Sequence, residues 1–247
     1  MVQVPATESS AVHYPDSDGQ PMADNTKQFR WIVVIEQNLE RLFADDPDVF
    51  VAGDLLWYPV EGNNKIRQAP DALVVFGRPK GDRGSYQQWK ENNIPPQVVF
   101  EVLSPGNTRR EMERKLLFYD RYGVEEYYVY DPDSNDFNAW LRSETGELAP
   151  IELTVGWTSP RLSIWFNLAS EELQIYTAAG QPFLSYVEVT DLLEAEQQRA
   201  ETAQQQAEAE RQRAEEERQR AEQAEARAAE IEALLQQYRD RFGELPE

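Results

Sequence analysis

The chain has 247 residues, a formal net charge of −21, a single histidine and no cysteine. This excludes disulfides, a thiolate metal site and a cysteine nucleophile. With His13 the sole imidazole, it also excludes a Ser-His-Asp triad or a histidine-rich zinc site. The acidic balance opposes general nucleic-acid binding at long range, so any enzymatic chemistry falls to carboxylates, lysine, tyrosine and an oxygen-loving cation.

Residues 1–23 carry Pro5, Pro15, Gly19 and Pro21 among small polar residues and read as a flexible lead, ordered where it touches the domain. The lead has no apolar core of a secretory signal, and nowhere does the chain approach the ~18 apolar residues of a membrane span. The expected location is the cytoplasm, with no membrane partner. Asp24, Asn25 and Thr26 offer an N-cap to a helix over 26–44, with Phe29, Ile32, Val33, Leu39, Leu42 and Phe43 mostly on one face. Residues 49–58 predict a strand, and 66–76 a second. Pro70 and Asp71 in the middle of the second point to an edge strand or a bulge. Residues 77–95 read as a long polar loop with a helical hint at 86–90. The run 96–105 (PQVVFEVLSP) is almost wholly apolar and predicts a strand buried on both faces.

Thr108 and Glu111 form a capping box for a helix to about Tyr122, and Gly123 is suited to end it. Residues 126–130 predict a strand; 137–141, 151–155, 162–165 and 173–176 predict short strands or hairpin arms. The order gives a mixed α/β domain over 24–185. From residue 186 the composition shifts to Ala, Glu, Gln and Arg, with 17 acids and 8 bases, so −9 of the −21 lies in this tail. Leu193, Ala200, Ala207, Ala214, Ala221, Ala228, Leu235 and Phe242 recur every seven residues. The second seam is often Glu, so 186–247 reads equally as a single solvated helix or a weak coiled coil, roughly 80 Å long at about 1.5 Å per residue.

Glu101 stands out inside the apolar run. A buried carboxylate costs several kcal/mol unless it is paired or bound to a metal; the plainer reading is a residue near the strand end, facing water. Asp71 lies on the neighbouring predicted strand, or is simply a turn residue after Pro70. Two acids so placed can share Mg²⁺ or Mn²⁺, with water completing the coordination. Lys115, on the next helix, can reach back to the end of Glu101's strand, although on spacing alone pairing with Glu111 is the simpler reading. Lys65, Arg67, Arg78, Lys80, Arg83 and Lys90, followed by Arg109, Arg110 and Arg114, form the basic region of an acidic chain and bracket the two acids. Tyr86 and Trp89 suit either base stacking or a small loop core.

Pro70-Asp71, then Phe100-Glu101-Val102-Leu103-Ser104-Pro105, then Lys115, Tyr119, Gly123-Val124, Glu126-Tyr127-Tyr128 and Asp131-Pro132, together resemble the bacterial putative restriction endonuclease family. That family belongs to the PD-(D/E)XK nuclease superfamily. The resemblance covers about 25–185. It implies a restriction-endonuclease-like mixed sheet with flanking helices, Asp71 and Glu101 as metal ligands, and the Val102 main-chain carbonyl as a further ligand. The superfamily usually places lysine two residues after the second acid. Leu103 stands there in this chain, and the resemblance points instead to Lys115. Glu36 is a further ligand in some members, with a plain surface role the simpler reading.

The sequence therefore leads to a Mg²⁺-dependent DNA endonuclease acting through Asp71, Glu101 and Lys115, with no small-molecule cofactor and a homodimer through the tail. Two rivals stand beside it. A catalytically silent DNA-binding or assembly module would keep the basic loop and the heptad but have no need of Glu101. A carboxylate-pair glycosidase leaves the basic loop and Lys115 unexplained.

Overall fold

The computed structural model describes residues 12–152 and 156–243. Its elements run α1 (Thr26–Leu42), β1 (Val49–Ala52), β2 (Trp57–Tyr58), β3 (Ala72–Phe76), β4 (Tyr86–Gln87), β5 (Val98–Val102), α2 (Arg109–Tyr122), β6 (Glu126–Asp131), β7 (Asp136–Arg142), β8 (Leu148–Ile151), β9 (Trp165–Asn167), β10 (Gln174–Tyr176) and α3 (Tyr186–Phe242). Six strands form one mixed sheet in the order β1-β3-β5-β6-β7-β8. Within this sheet, among the described residues, only β5 and β6 are parallel, and α2 supplies the crossover that such a pair requires.

β5 is buried along its whole length, as its apolar run predicts. Val98, Phe100 and Val102 face the core beneath α1, with Ile32, Ile35 and Leu39; Val99 faces the opposite core, with Tyr119 of α2 and Tyr127 of β6. Glu101, two residues after Val99, therefore lies on the α2 face. Burial of each large β5 side chain contributes ~1.5–3 kcal/mol, so four of them outweigh the several kcal/mol that one buried carboxylate costs.

The helices begin where the caps predict. Asn25 accepts the Gln28 N–H in α1, and Thr108 Oγ1 accepts the Glu111 N–H in α2. Glu111 does not close the box, because its carboxylate accepts instead from Asn107 Nδ2 at 3.3 Å. Gly123 ends α2 at φ +95°, a left-handed conformation suited to glycine.

Several expectations change. The strand predicted over 49–58 is two strands in different sheets. The chain leaves the main sheet at Asp54 (φ +48°), and β2 pairs with β4. The strand predicted over 66–76 begins only at Ala72, and β3 is an interior strand between β1 and β5. Pro70 precedes it, so its missing N–H breaks no ladder, and its carbonyl accepts from Asp54 N at 3.1 Å. The helical hint at 86–90 resolves into β4 and a 3₁₀ turn, Gln88–Lys90. The strand predicted over 162–165 starts at Trp165. Of that predicted over 151–155, residues 153–155 lie outside the described residues, as do residues 1–11 of the lead. The first compact unit ends at Tyr186 and a second begins at Val187. Within the second unit α3 is one helix whose apolar side chains, among them Leu193, Ile231 and Leu235, are exposed. No described helix is long and apolar enough to cross a membrane.

A Cβ at Gly123 would sit 3.2 Å from Pro95 Cγ, on a backbone that already disfavours one. Gly123→Ala should lose more than about 1 kcal/mol of stability in urea unfolding. A loss below about 0.5 kcal/mol would contradict this account of the α2–β6 junction.

Candidate active site

The β3–β5 register pairs Ala72 with Phe100, so one step beyond the strand Asp71 stands beside Glu101. Asp71 Oδ2 accepts the Val102 N–H at 2.6 Å, taking a ladder donor that β3 is too short to pair. The Val102 carbonyl accepts from Gln28 Nε2 of α1 at 2.8 Å. This residue's backbone is thus clamped from both sides. A carbonyl has two lone pairs, and the second remains for a cation.

Lys115 does not pair with Glu111. Its Nζ lies 2.7 Å from Glu101 Oε2. Tyr119, one turn further along α2, donates its hydroxyl to Glu101 Oε1 at 2.5 Å. The helix thus presents an ammonium and a phenol to one carboxylate, through the i, i+4 spacing that puts two side chains on the same face. The side chain of Glu101 is only 2% exposed and that of Lys115 13%. Leu103, two residues after Glu101, packs at the margin of the same core, and the charge comes instead from Lys115 of α2.

The electrostatics follow from burial. Desolvation, then the Glu101 charge, push Asp71 well above the usual carboxylate range; Lys115 and the Val102 N–H pull the other way. Burial works to lower Lys115, but the charges of Glu101 and Asp71 outweigh it, and the ammonium is held more firmly than usual. Asp54 is raised by burial and by Asp18. Asp54, Asp71 and Glu101 act on one another and share Lys115 as their cation. Acids outnumber the one ammonium in this cluster, which is why the ionisation of Asp71 is opposed.

A cleft of about 280 Å³ opens here, lined by Asp54, Asp71 and Lys115 together with Asp18, Gln20 and Asp24. Among the described residues no group of three Asp, Glu or His side chains forms a ready metal cage. The donor set is two adjacent carboxylates, a backbone carbonyl and a charge deficit. It suits Mg²⁺, which takes one or two carboxylates and keeps several waters, better than an ion that requires a full protein cage.

The other predicted residues spread out. Arg78 and Arg83 both pair with Glu91, at 2.7 and 2.8 Å, Lys80 pairs with Glu40 at 3.0 Å, and Arg83 also lies over Phe50. Arg67 bonds the Asn64 carbonyl, and Arg109 forms an exposed pair with Glu113. Lys65, Lys90 and Arg110 are exposed, with no ion pair among the described residues. Tyr86 is buried and donates to the Ile94 carbonyl, while Trp89 packs on Tyr14. Glu36 lies against Gly53, accepts from Gln37 and does not line the cleft. Sequence reasoning missed Gln28, Asp54 and the bond from Tyr119. The one available signal was Gln28, a polar residue on the buried face of α1.

Two substitutions should move stability in opposite directions. Lys115→Met strands a buried carboxylate and should cost ~3–5 kcal/mol in chemical unfolding. Asp71→Asn relieves the repulsion and can still accept from Val102, so its Tm in chelator should exceed that of the parent at neutral pH. A raised folded pKa for an acid means stability is lost as pH rises through it, so that difference should shrink on acidification. An Asp71→Asn protein less stable than its parent in chelator would contradict the charge account.

The family model described as Putative restriction endonuclease (Uma2) matches residues 3–171. No curated protein matches the chain. Among solved structures, a putative nuclease of the DUF820 group from Anabaena variabilis is similar, with a TM-score of 0.43 and 14% identity over 56% of this chain and 74% of that one. With the family model spanning most of the sheet and its helices, the chain belongs to the family of putative restriction endonucleases.

Proposed function

We propose that the chain is a Mg²⁺- or Mn²⁺-dependent DNA endonuclease that hydrolyses phosphodiester bonds. The observation that carries this reading is that Asp71 and Lys115 line one cleft, while Glu101, buried and paired with Lys115, stands beside Asp71 in the sheet register. Asp71, Glu101 and the free lone pair of the Val102 carbonyl would hold the cation, which supplies an acidified water and offsets phosphate charge. Lys115 acts through its charge. Its pKa is raised, so it stays protonated at neutral pH and serves to orient the attacking water and to stabilise charge on the pentavalent transition state. Tyr119 fixes the Glu101 rotamer, and Gln28 and Asp71 fix the backbone on either side of Val102. That rigidity suits a site whose geometry tolerates little displacement.

For the nucleic-acid backbone the reading assigns the exposed Lys65, Lys90, Arg109 and Arg110, with a lesser part for Arg67. Arg78, Lys80 and Arg83 are occupied in holding the 77–95 loop together. The tail helix α3 is assigned to pairing two copies, since cutting both strands of a duplex takes two sites. A chain ending at Tyr186 should then show roughly three-eighths of the full-length mass in light scattering, against roughly three-quarters if the tail pairs nothing.

A catalytically silent module is the competing reading, because Lys115 and Tyr119 already satisfy both Glu101 oxygens. Cleavage assays decide between them. Plasmid DNA should be cut with Mg²⁺ or Mn²⁺ and left intact in chelator. Asp71→Ala and Glu101→Ala should abolish cutting, and Lys115→Ala should lower it by at least ~10²-fold, the usual scale for losing one electrostatic stabiliser. Divalent-independent cutting, or unchanged rates in these variants, would refute the assignment.

A further inference from the structure

Residues 13–24 cross the mouth of this cleft. At the upstream end, the Tyr14 ring packs on Tyr58 at 5.2 Å and on Trp89 at 4.8 Å. Its hydroxyl accepts from Gly62 N, Tyr58 donates to the Pro15 carbonyl at 2.7 Å, and Asn64 donates to the His13 carbonyl at 2.8 Å. The Asp16 carboxylate occupies the space beside Gly84, 2.5 Å from where any Cβ there would stand. At the downstream end, Asp24 accepts from Ser104 Oγ at 2.5 Å, in the loop that follows β5. Between these anchors the segment is exposed, turns at Gly19 (φ +81°), and lines the cleft from Gln20 to Asp24 together with Asp71 and Lys115.

This arrangement limits what can enter. The cleft's 280 Å³ corresponds to about nine waters at roughly 30 Å³ each. A duplex presents one phosphate charge per ~1.7 Å of axis and needs an open, basic track. The segment instead offers Asp16, Asp18 and Asp24, with no lysine or arginine before Lys27. Asp18 is close enough to raise the pKa of Asp54. The segment thus narrows the approach to Lys115 and sets Asp18 and Asp24 in the lining of the same cleft.

We propose that residues 13–24 form an autoinhibitory strap that closes the Asp71–Lys115 cleft against a nucleic-acid backbone and opens by release of the Tyr14 anchor from Tyr58 and Trp89. The proposal rests on the nuclease reading for the identity of what is kept out, but not for the strap's movement. Tyr14 is the release point because it is only half-buried and the adjoining His13 carbonyl bond is exposed, whereas Asp24 runs directly into the cap of α1.

The absence of cysteine makes the test clean. Ala69→Cys puts a single thiol in the cleft wall of the full-length chain, where its reaction with a bulky anionic aryl disulfide reports opening. Adding Tyr14→Ala should speed labelling at least tenfold at unchanged Tm, whereas Tyr14→Phe, which keeps the ring, should stay within about twofold of the parent. In chelator, fluorescence anisotropy should show the Tyr14→Ala chain binding a short DNA duplex at least fivefold more tightly than the parent. Equal labelling rates in the Tyr14→Ala and parent proteins would overturn the strap. Faster labelling without any DNA binding would uphold the strap and count against the nuclease reading instead.

Discussion

The structure depends on one costly choice, a carboxylate buried in the middle of its central strand. Glu101 sits on β5, where every residue is buried, and remains there because α2 brings it an ammonium and a phenol from successive turns. Removal of either partner leaves an unmatched group in a medium where charges are poorly screened. This requirement ties β5, α2 and the crossover to β6 into one unit. It also explains why the helix must stop cleanly at Gly123 and return its chain to the sheet in register.

Asp71 adds a second charge to that arrangement rather than relieving it. It is held at the β3 entry by the Val102 N–H, with burial and Glu101 both opposing its ionisation. A fold selected for stability alone would place an amide or an apolar residue there. Such local strain is the usual mark of a site kept for binding or catalysis. Asp54, Asp71 and Glu101 gather more acid than Lys115 offsets, in a chain that belongs to the family of putative restriction endonucleases. The proposed strap adds to the same imbalance, since its Asp18 and Asp24 line the cleft with Asp54 and Asp71.

Much of this was legible in the sequence wherever one local rule dominates. The apolar run at β5, the Thr108 cap and the Gly123 stop are decided by short-range chemistry and appear where the sequence put them. The break after β1 was not legible, because an aspartate rather than a glycine takes the positive φ. Pro70 was misread as a sign of an edge strand because nothing local says that it precedes the strand. The pairing of Lys115 with Glu101 competes with a helix neighbour at i−4, and only the sheet beneath α2 settles the contest. Likewise the basic loop looked available to DNA until Glu40 and Glu91 emerged as its partners. Gln28 and the strap act over long sequence separations that no pattern encodes.

The central claim is that Asp71 and Glu101 together hold a divalent cation. Crystals soaked in Mn²⁺ and measured at its absorption edge test it most directly. The account predicts one anomalous peak between the two carboxylates, about 2.0–2.3 Å from an oxygen of each, and no such peak for Asp71→Asn. Strong Mn²⁺ peaks elsewhere with none at this pair, or an undiminished peak in the variant, would contradict it.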